Sequence, residues 1–349
     1  MKNPKVKAIE VKKSRKVSAL LEAMAGTGFQ GKSLARSVEV FEKMIADKDT
    51  TILFGYTGSL STTGQWKIIS WLLKQGFIDI LVPTGANISE DLVEAMGCAY
   101  LQGSATANNE ELFRDGYNRY YDVYGSEKDY YEMTELIADF IMTLNPDNKY
   151  SSRGFLRLFG KYLKKKKINS IVTAAYEANV PVFCPAIIDS PYGDAALIAK
   201  SKGFDLTLDG VKDYIEFMQL GERVKSTGVV YIGGGVPKDF IQLFAVTGDL
   251  LYSDLKVPGR SGGQTREGTS ETYYPHRYAV QVTADSPQWG GLSGCTFDEA
   301  VSWGKEDPKG DYVQCYCDAT IALPIISQAL AERVESKRTA KKLSLNFED

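Results

Sequence analysis

The stretch Thr51-Ile52-Leu53-Phe54-Gly55-Tyr56 is a short, mostly apolar run that opens directly into the polar turn Thr57-Gly58-Ser59-Leu60-Ser61-Thr62-Thr63-Gly64. An apolar run of this length, bounded by turn residues, predicts a buried strand. The pattern from Gln65 to Lys74 is helical. A strand, a small polar turn and a helix in succession form the unit from which parallel sheets covered on both faces are built.

The same unit recurs along the chain. Ile78–Val82 is a second predicted strand, followed by the turn Pro83-Thr84-Gly85-Ala86-Asn87 and a helix that begins near Glu90. Further strands are predicted at 180–188, 228–232, 278–283 and 313–316, and helices at 18–24, 33–46, 130–144 and 298–302. Because no convincing linker separates these units, the pattern predicts one doubly wound α/β domain with a mostly parallel sheet.

Three segments are expected to lie outside this pattern. Residues 1–16 carry seven basic residues and little periodicity, which predicts a mobile or late-docking basic arm. The domain is expected over residues 17–335, and residues 336–349 are predicted to be a polar C-terminal tail. Residues 102–131 are polar and rich in tyrosine, so we expect an excursion from the central sheet there.

The composition indicates a globular enzyme. Lys and Arg total 41 against 44 Asp and Glu, a net charge of −3, which argues against general nucleic-acid binding. No apolar run approaches the roughly 18 residues that can span a bilayer. The N-terminal segment lacks the apolar core of a signal peptide, so a cytoplasmic location without membrane attachment is expected.

The cysteines and the histidine argue against a metal site. Five scattered cysteines include no Cys-x-x-Cys pair, although Cys315 and Cys317 share one face of a predicted strand. Reduced structural thiols are therefore the favoured interpretation. His276 is the one histidine of the sequence, so we predict no metal centre and expect acid–base chemistry to fall to Asp, Glu, Lys or Tyr.

Polar turns follow the predicted strands, and they predict a nucleotide site. Ligands of open parallel sheets bind beyond the carboxyl ends of the strands. Glycines there let backbone amides approach a pyrophosphate, and acids and hydroxyls hold ribose. The turns are 57–63, 84–87 (with Gly85), 189–194, 233–235 (with Gly233 and Gly234), 284–285 and 318–320. No Gly-x-Gly-x-x-Gly is present at the first turn, and Gly233-Gly234-Gly235 is equally consistent with a plain tight turn.

Four acids are expected at the same edge or in the first turn of the following helix. They are Glu90, Asp194, Asp239 and Glu299. Each alone is most simply a solvated surface acid. Together, with Trp303 and Trp289 nearby, they favour a site for a polycationic amine chain held by ion pairs and cation–π contacts.

Lys305 is the candidate nucleophile. It follows a glycine-rich turn at 290–294, a short predicted helix at 298–302, and Trp303-Gly304. A Gly-Lys pair at a helix end is ordinarily a solvated cap. A lysine held against an indole in a partly dry pocket has its ammonium form disfavoured, and a neutral amine can attack a carbon–nitrogen double bond.

Four motifs together resemble the deoxyhypusine synthase family. They are Thr27-Gly28-Phe29-Gln30, Pro185-Ala186-x-x-Asp189 followed by Gly193-Asp194, Gly233-Gly234-Gly235-Val236-Pro237-Lys238, and Glu299-Ala300-Val301-Ser302-Trp303-Gly304-Lys305. The resemblance extends from about Leu20 to Ala331, and the Ser-Trp-Gly-Lys element is highly specific.

The resemblance implies a homotetramer of Rossmann-like subunits that uses NAD and spermidine. NAD oxidises a secondary amine of spermidine, an aminobutyl imine forms on a lysine, an acceptor amine takes the group, and the retained NADH reduces the product imine. The resemblance assigns the formation of the imine to Lys305. It assigns to Trp303 a position alongside the polyamine chain. Asp194, Glu299 and Glu90 match amine-binding acids. The positions that match cofactor contacts are Thr57, Ser59, Thr84, Asp189, Gly234, Thr283 and Asp318.

Departures from the family pattern concern the acceptor. Asp239 stands where deoxyhypusine synthases carry a histidine, Ser59 stands where an asparagine is usual, and the loop 285–292 differs in length. A fixed carboxylate at Asp239 attracts a cationic amine. The family includes members that use small amines such as putrescine or agmatine. We therefore slightly favour a small diamine acceptor such as putrescine, with a homospermidine-type product, over the lysine of the hypusine-bearing translation factor.

Two other classes of function stay open from the sequence. One is an NAD-linked amine or alcohol dehydrogenase in which Lys305 acts as a general base. The other is a polyamine-binding protein without turnover.

Overall fold

The computed structural model describes residues 3–247, 263–334 and 337–338. Contacts divide the chain into two compact units. Of the described residues, unit 1 comprises those up to Tyr56, Gln75–Ile80 and those from Phe217 onward, and unit 2 comprises Thr57–Lys74 and Leu81–Glu216. Most of the predicted tail at 336–349 lies outside the described residues, and the single domain over 17–335 stays a prediction.

Helices and strands alternate along most of the chain. The strands are β1 (Thr50–Tyr56), β2 (Ile80–Pro83), β3 (Leu101–Gln102), β4 (Tyr117–Tyr120), β5 (Val123–Ser126), β6 (Lys149–Tyr150), β7 (Thr207–Leu208), β8 (Ser226–Ile232), β9 (Gln264–Thr265), β10 (Thr272–Tyr273), β11 (His276–Thr283) and β12 (Glu306–Tyr316). The helices are α1 (Val17–Ala25), α2 (Phe29–Ala46), α3 (Trp66–Lys74), α4 (Asp91–Ala95), α5 (Asn109–Arg114), α6 (Glu127–Ile141), α7 (Ser152–Lys165), α8 (Ile171–Ala178), α9 (Pro191–Ser201), α10 (Gly210–Gln219), α11 (Gly235–Val246), α12 (Phe297–Ser302) and α13 (Ala319–Arg333). Short 3-10 turns occur at Ala86–Ile88, Leu220–Arg223 and Pro287–Trp289.

A five-stranded sheet with the order β12-β11-β8-β1-β2 forms the centre of the fold. The pairs β1–β8, β8–β11 and β11–β12 are parallel. Counted in chain order from the β2 edge, the strands run second, first, third, fourth and fifth, as in one common doubly wound sheet. The order changes direction between β1 and β8, where Tyr56 lies opposite Ile232. This confirms the predicted α/β class with a mostly parallel sheet.

The central strands are buried because helices cover them closely. Every residue of β1, with the sequence TTILFGY, is buried, as a strand covered on both faces requires. Gly55 of β1 makes room for α11, since a Cβ there would lie 2.9 Å from Ile241 Cδ1. Gly228 of β8 does the same for α2, since its Cβ would lie 2.9 Å from Met44 Cγ. These close approaches place α11 and α2 directly on the strands that carry the candidate site of unit 1.

Residues 101–126 of unit 2 contain a small antiparallel sheet with the order β3-β5-β4. The tyrosine-rich segment predicted to leave the central sheet therefore has a sheet of its own. Strands β4 and β5 pair from Tyr117 opposite Ser126 to Tyr120 opposite Val123. Helix α6, which follows β5, packs against α9, and α7 packs against α8.

The strand predicted at 180–188 is wrong. Of these residues, all of which are described, Val182 alone pairs, in a parallel bridge with Leu81. Leu81 N donates to Pro181 O at 3.0 Å, and Phe183 N donates to Leu81 O at 2.9 Å. Pro181 and Pro185 have no N–H to donate, so the ladder cannot continue. The chain turns at 185–188 and enters α9.

The described part of the predicted basic arm, residues 3–16, contains no helix or strand. Lys7 N nevertheless donates to Gly26 O at 2.8 Å, so one point of this segment is attached to the end of α1. None of the described helices is both long and apolar enough to cross a membrane.

Gly160 tests the contact between α7 and α8. In a helix interior, Gly→Ala ordinarily stabilises by about 0.5–1 kcal/mol. Here an added Cβ would lie 2.7 Å from Val172 O and 2.7 Å from Tyr176 Cβ, so backbone must move. We expect Gly160→Ala to lower the free energy of unfolding by about 1–3 kcal/mol in urea titrations.

Gly210→Ala is the matched control, because Gly210 is exposed at the start of α10 and an added Cβ there meets no atom within 4 Å. It should be neutral or slightly stabilising. Equal effects of the two substitutions would show that the close approach at Gly160 does not determine stability.

Candidate active site

The glycine turn after β8 is the first part of the site in unit 1. Gly233 and Gly235 have φ values of 72° and 60°, in the left-handed region that favours glycine. Gly233 N donates to Val282 O of β11 at 2.8 Å. A Cβ on Gly234 would lie 2.5 Å from Ser293 Cα, so the loop before α12 lies directly on the turn. The turn is thus held beside the change in strand order, where open parallel sheets bind ligands.

Lys238, in the first part of α11, is fully buried and joins these elements. Its Nζ donates to Gln281 Oε1 at 3.0 Å, to Leu292 O at 3.2 Å and to Cys295 O at 2.7 Å. Gln281 Nε2 in turn donates to Gly233 O at 2.8 Å, and Gln314 Nε2 donates to Gln281 Oε1 at 2.8 Å. The ammonium and two amides therefore attach the loop 292–295 to α11, β11 and β12.

The ammonium group of Lys238 lies in a poorly hydrated environment. Nζ lies 5.9 Å from the centre of the Tyr231 ring and 5.7 Å from that of Phe297. Burial lowers the pKa of Lys238 to about 8, and the positive charge of Lys305 acts in the same direction. Glu306 and Cys295 act in the opposite direction. Three acceptors and two rings stabilise the ammonium form against this burial.

Helix α12 delivers Lys305 to the site. Thr296 Oγ1 accepts from Glu299 N at 3.1 Å and so caps the helix start. At the other end, Gly304 has a φ of 75°, and a Cβ there would lie 2.5 Å from Tyr273 Cδ1. Lys305 N donates to Ala300 O at 3.0 Å, and Lys305 O accepts from His276 N of β11 at 2.9 Å. Glycine at position 304 is required for both the turn and the ring contact.

The side chain of Lys305 is mostly covered and has two neighbours. Its Nζ lies 3.2 Å from Asp239 Oδ1 and 5.4 Å from the centre of the Trp303 ring. The Lys305 side chain is 13% exposed and that of Asp239 is 41% exposed. Glu299 is close enough for its charge to raise the pKa of Lys238, the residue before Asp239. The structure thus brings together Lys305, Asp239 and Trp303, and their roles stay predictions.

Glu306, the first residue of β12, is a buried acid of this region that the sequence analysis missed. It is 1% exposed, and neither carboxyl oxygen makes a hydrogen bond within the described residues. Burial raises the pKa of Glu306 well above its ordinary value, whereas Lys238, the Gln242 amide and Lys305 act in the opposite direction. Because a charged carboxylate without a partner is costly to bury, this site favours the protonated acid.

Two predicted cofactor residues of unit 1 end neighbouring strands. Thr283 is the last residue of β11, and its Oγ1 accepts from Asp285 N at 3.1 Å. Asp318, before α13, accepts from Thr320 N at 2.7 Å through Oδ1. Its Oδ2 makes no hydrogen bond to any described residue. A hydroxyl and a carboxylate oxygen at this edge, together with the glycine turn, fit the ribose and phosphate groups of a dinucleotide.

In unit 2, Asn87 joins the turns that follow β1 and β2. Its Nδ2 donates to Gly58 O at 2.6 Å and to Thr84 Oγ1 at 2.8 Å. Its Oδ1 accepts from Leu60 N at 3.1 Å. The loop that contains Ser59 is therefore attached to Thr84 by one buried side chain. The structure places Thr57 at the start of this loop.

The residues before α9 contact the turn after β2. A Cβ at Gly85 would lie 2.3 Å from Ser190 Oγ, so this glycine is required by a close approach. Asp189, the neighbour of Ser190, donates through its backbone N to Ala186 O at 3.1 Å. The predicted cofactor residues Thr84, Gly85 and Asp189 consequently belong to adjoining turns of unit 2.

Glu90 and Asp194 also belong to unit 2. Glu90 directly precedes α4 and is 5% exposed, whereas Asp194 is exposed in the first turn of α9. Burial raises the pKa of Glu90 to about 7. Burial raises the pKa of Tyr130, and the negative charges of Glu90 and Asp194 act in the same direction.

Long-range polar contacts explain what the sequence analysis missed. Lys238 is part of a quoted motif, but nothing in the motif predicts that its ammonium is buried. Asn87 lies in a predicted turn, where its two loop contacts could not be inferred. For Glu306 the available signal was a carboxylate directly after a candidate nucleophile.

The protein has a mostly parallel α/β sheet with glycine, hydroxyl and acid groups at its carboxyl edge, and a covered lysine beside an acid. These features define the class of α/β proteins that bind ligands at the carboxyl edge of the sheet. The sequence model of the deoxyhypusine synthase family matches residues 19–330. A protein from Methanosarcina mazei named probable deoxyhypusine synthase 2 is 46% identical over 331 residues, covering 94% of this chain and 90% of the relative. One of the same name from Archaeoglobus fulgidus is 42% identical, with coverage of 88% and 95%. A deoxyhypusine synthase-like protein from Elusimicrobium minutum is 34% identical, with coverage of 93% and 84%.

The chain belongs to the deoxyhypusine synthase family. Membership implies an enzyme, an aminobutyl transferase, with spermidine as substrate and the hypusine-bearing translation factor as partner. The crystal structure of a candidate deoxyhypusine synthase from Entamoeba histolytica is similar in fold, with a TM-score of 0.62 at 16% identity, covering 96% of this chain and 100% of that chain. At this identity the likeness concerns the fold alone.

Glu306 provides a stability test of this site. Its pKa is raised in the folded chain, so the folded state binds more protons and the free energy of unfolding falls as pH rises above about 4–5. Glu306→Gln removes the buried ionisable carboxyl and so removes the cost of charging it. The substitution should raise the free energy of unfolding by about 1–3 kcal/mol at about pH 8, with a smaller gain at about pH 5. Urea titrations at the two pH values measure it.

Glu267→Gln, at an exposed position of the same unit, should change the free energy of unfolding by less than about 0.5 kcal/mol at either pH. A loss of stability in Glu306→Gln that grows with pH would mean that the buried carboxylate is stabilised in its charged form.

Proposed function

We propose that this protein is an NAD-dependent transferase that moves a 4-aminobutyl group from spermidine, or a related polyamine, through an imine on Lys305 to an amine acceptor. The observation that carries the proposal is the position of the Lys305 amine. It is mostly covered, lies 3.2 Å from Asp239 Oδ1, and has the Trp303 ring at 5.4 Å. A covered amine next to a carboxylate that can act as a base toward it supports imine formation, since the amine must lose a proton to add to a carbon–nitrogen double bond.

The chain's own groups account for the transfer steps. NAD, when bound, supplies the hydride acceptor for the donor amine and later the hydride for the product imine. Lys305, as a neutral amine, adds to the carbon of the oxidised donor, and the donor's remaining amine leaves as the new carbon–nitrogen double bond to Lys305 forms. The acceptor amine then adds to the same carbon and Lys305 leaves. Asp239 holds the proton that Lys305 loses and regains, since its carboxylate contacts Nζ.

The remaining predicted residues divide into cofactor and amine contacts. Trp303 lines the aminobutyl chain, because its ring adjoins Nζ of Lys305. Asp194, Glu299 and Glu90 pair with ammonium groups of the amine. The residues proposed to hold NAD are Gly233, Gly234, Thr283 and Asp318 in unit 1 and Thr57, Ser59, Thr84, Gly85 and Asp189 in unit 2. The assembly is proposed to be a homotetramer.

A small diamine such as putrescine is slightly favoured as the acceptor. Asp239 occupies the position next to Lys238 and contributes a half-exposed negative charge beside the nucleophile. A negative charge attracts a compact dication more strongly than a single lysine side chain. The alternative acceptor is the lysine of the hypusine-bearing translation factor, which the names of the relatives support. Both acceptors share the imine on Lys305.

Lys305→Arg tests the covalent role. Arginine keeps the positive charge beside Asp239 but stays protonated, its pKa being above about 12, so it cannot add to an imine carbon. We expect a loss of transfer of at least about 1,000-fold with NAD binding within about threefold of the wild type. Borohydride treatment with NAD and spermidine should give a reduced adduct at Lys305 in the wild-type protein, located by mass spectrometry.

Lys309→Arg is the matched control, since Lys309 is exposed on β12 and should leave transfer unchanged. NAD reduction by spermidine without any adduct at Lys305 would favour a simple dehydrogenase. Polyamine binding without NADH formation would favour a protein without turnover. Transfer by Lys305→Arg at near the wild-type rate would falsify the covalent role.

Asp239→His tests the choice of acceptor. A histidine removes the fixed negative charge, so use of putrescine should fall by about tenfold or more while NAD affinity changes little. The measurement compares products with putrescine, with agmatine and with the translation factor at matched concentrations. Asp298→Asn, on α12, is the control for loss of one carboxylate. Efficient modification of the translation factor with no detectable small-amine product would contradict the proposal that the acceptor is a diamine.

A further inference from the structure

Two tyrosines of unit 2 join next to Glu90, and the charge of this acid acts on them and on a third tyrosine. Tyr100 lies just before β3, Tyr120 ends β4, and Tyr130 is in the first turn of α6. Burial raises the pKa of all three hydroxyls, and the negative charge of Glu90 acts in the same direction. Each tyrosine is half-buried, whereas Glu90 is 5% exposed. The small sheet and α6 therefore assemble an aromatic wall around one acid.

Specific contacts hold this wall in place. Tyr100 Oη donates to the main-chain oxygen of Glu90 at 3.1 Å. The rings of Tyr100 and Tyr120 meet edge to face, with centres 6.3 Å apart and planes at 87°. Both rings lie against Gly125 of β5, where a Cβ would lie 3.1 Å from Tyr100 Cε1 and 3.3 Å from Tyr120 Cε2. The absence of a side chain at Gly125 lets the two rings meet.

Glu90 lacks the partner that a purely structural buried acid usually has. Its carboxyl makes no hydrogen bond or ion pair with any described residue. Its neighbour Asp91 shows the contrast, since Asp91 is fully buried and its Oδ2 accepts from Ile171 N at 2.6 Å. Buried polar groups are nearly always paired, and a charged one left unpaired is costly. A buried, unpartnered carboxyl within aromatic rings is complementary to a cation from outside.

We propose that Tyr100, Tyr120 and Tyr130 form an aromatic box around Glu90 that receives a terminal primary ammonium group of the amine substrate and sets the preference for it. This proposal rests on the proposed function, because the ligand is the polyamine of that reaction. Glu90 supplies the opposite charge and the rings supply cation–π attraction. Asp194 adds a second negative charge beside Tyr130. An alkylammonium group is a compact charge that a box of this kind can surround, whereas an uncharged end group leaves Glu90 without a partner.

The first test is spermidine binding measured by calorimetry in the presence of NADH, which cannot oxidise the amine. Tyr100→Leu and Tyr120→Leu should each weaken spermidine binding by about fivefold to thirtyfold, from the usual strength of a cation–π contact. NADH binding should stay within about twofold in both variants, and Tyr120→Phe, which keeps the ring, should bind spermidine within about twofold of the wild type. Tyr131→Leu, an exposed neighbour of Tyr130 on α6, is the matched control and should bind spermidine normally.

The second test needs no change in the aromatic residues. The pKa of Glu90 is raised to about 7 by burial, and the groups that face it are Asp91, Tyr100, Tyr120 and Tyr130. Below that pH the acid must lose its proton to pair with an ammonium, so spermidine affinity should fall about tenfold per pH unit as pH drops below about 7. Glu90→Gln, which is isosteric, should weaken binding by about tenfold or more and flatten this profile.

The outcomes separate this proposal from the function on which it rests. Wild-type spermidine affinity in Tyr100→Leu and Tyr120→Leu with NADH binding intact would overturn the box, as would a pH profile that Glu90→Gln leaves unchanged. If the wild type transfers the aminobutyl group while these variants keep its KM for spermidine, the box fails and the transferase stands. If no adduct forms on Lys305 while the variants lose spermidine affinity, the transferase fails and the box stands as a polyamine site.

Discussion

The buried ammonium of Lys238 is the interaction on which the rest of the unit 1 site depends. A lysine without exposure is stable only where its donors are used, and this one donates to Gln281, Leu292 and Cys295. The contacts connect α11 to β11 and to the loop before α12. Since α12 leads directly to Lys305, the position of the proposed nucleophile depends on the contacts of Lys238, to which we assign no covalent role.

The same region concentrates charges that oppose one another. Lys238 and Lys305 each act on the buried Glu306, and burial acts against the charged forms of Lys238 and Glu306. Asp239 is more exposed and contacts Lys305 directly. A set of this kind responds as a whole to the arrival or loss of one charge. The protonation of these side chains is therefore expected to change when a cationic amine binds or loses its proton.

The buried acid of unit 2 has different neighbours from the buried charges of unit 1. Its acid Glu90 has aromatic neighbours instead of lysines, so its negative charge is not neutralised within the unit. Arg153 and Glu216 in the same unit show the ordinary structural solution, a buried pair with 2.8 Å between Nε and Oε2. The protein can therefore pair a buried acid internally, whereas the Glu90 carboxyl has no such partner among the described residues. The cationic amine of the proposed function is the partner that we propose for its ionised form.

The sequence by itself determined the α/β class, the buried strands near 51–56 and 228–232, and the family, because apolar runs and short motifs are local patterns. It also indicated Lys305 with its neighbours Trp303 and Asp239. It did not determine that Pro181 and Pro185 end the pairing beside β2 or that Glu306 is buried. The acceptors of Lys238 lie 43, 54 and 57 residues from it, and Glu90 meets tyrosines from three separate elements. Tertiary structure decided these contacts, since burial and partner choice depend on groups that only the folded chain brings together.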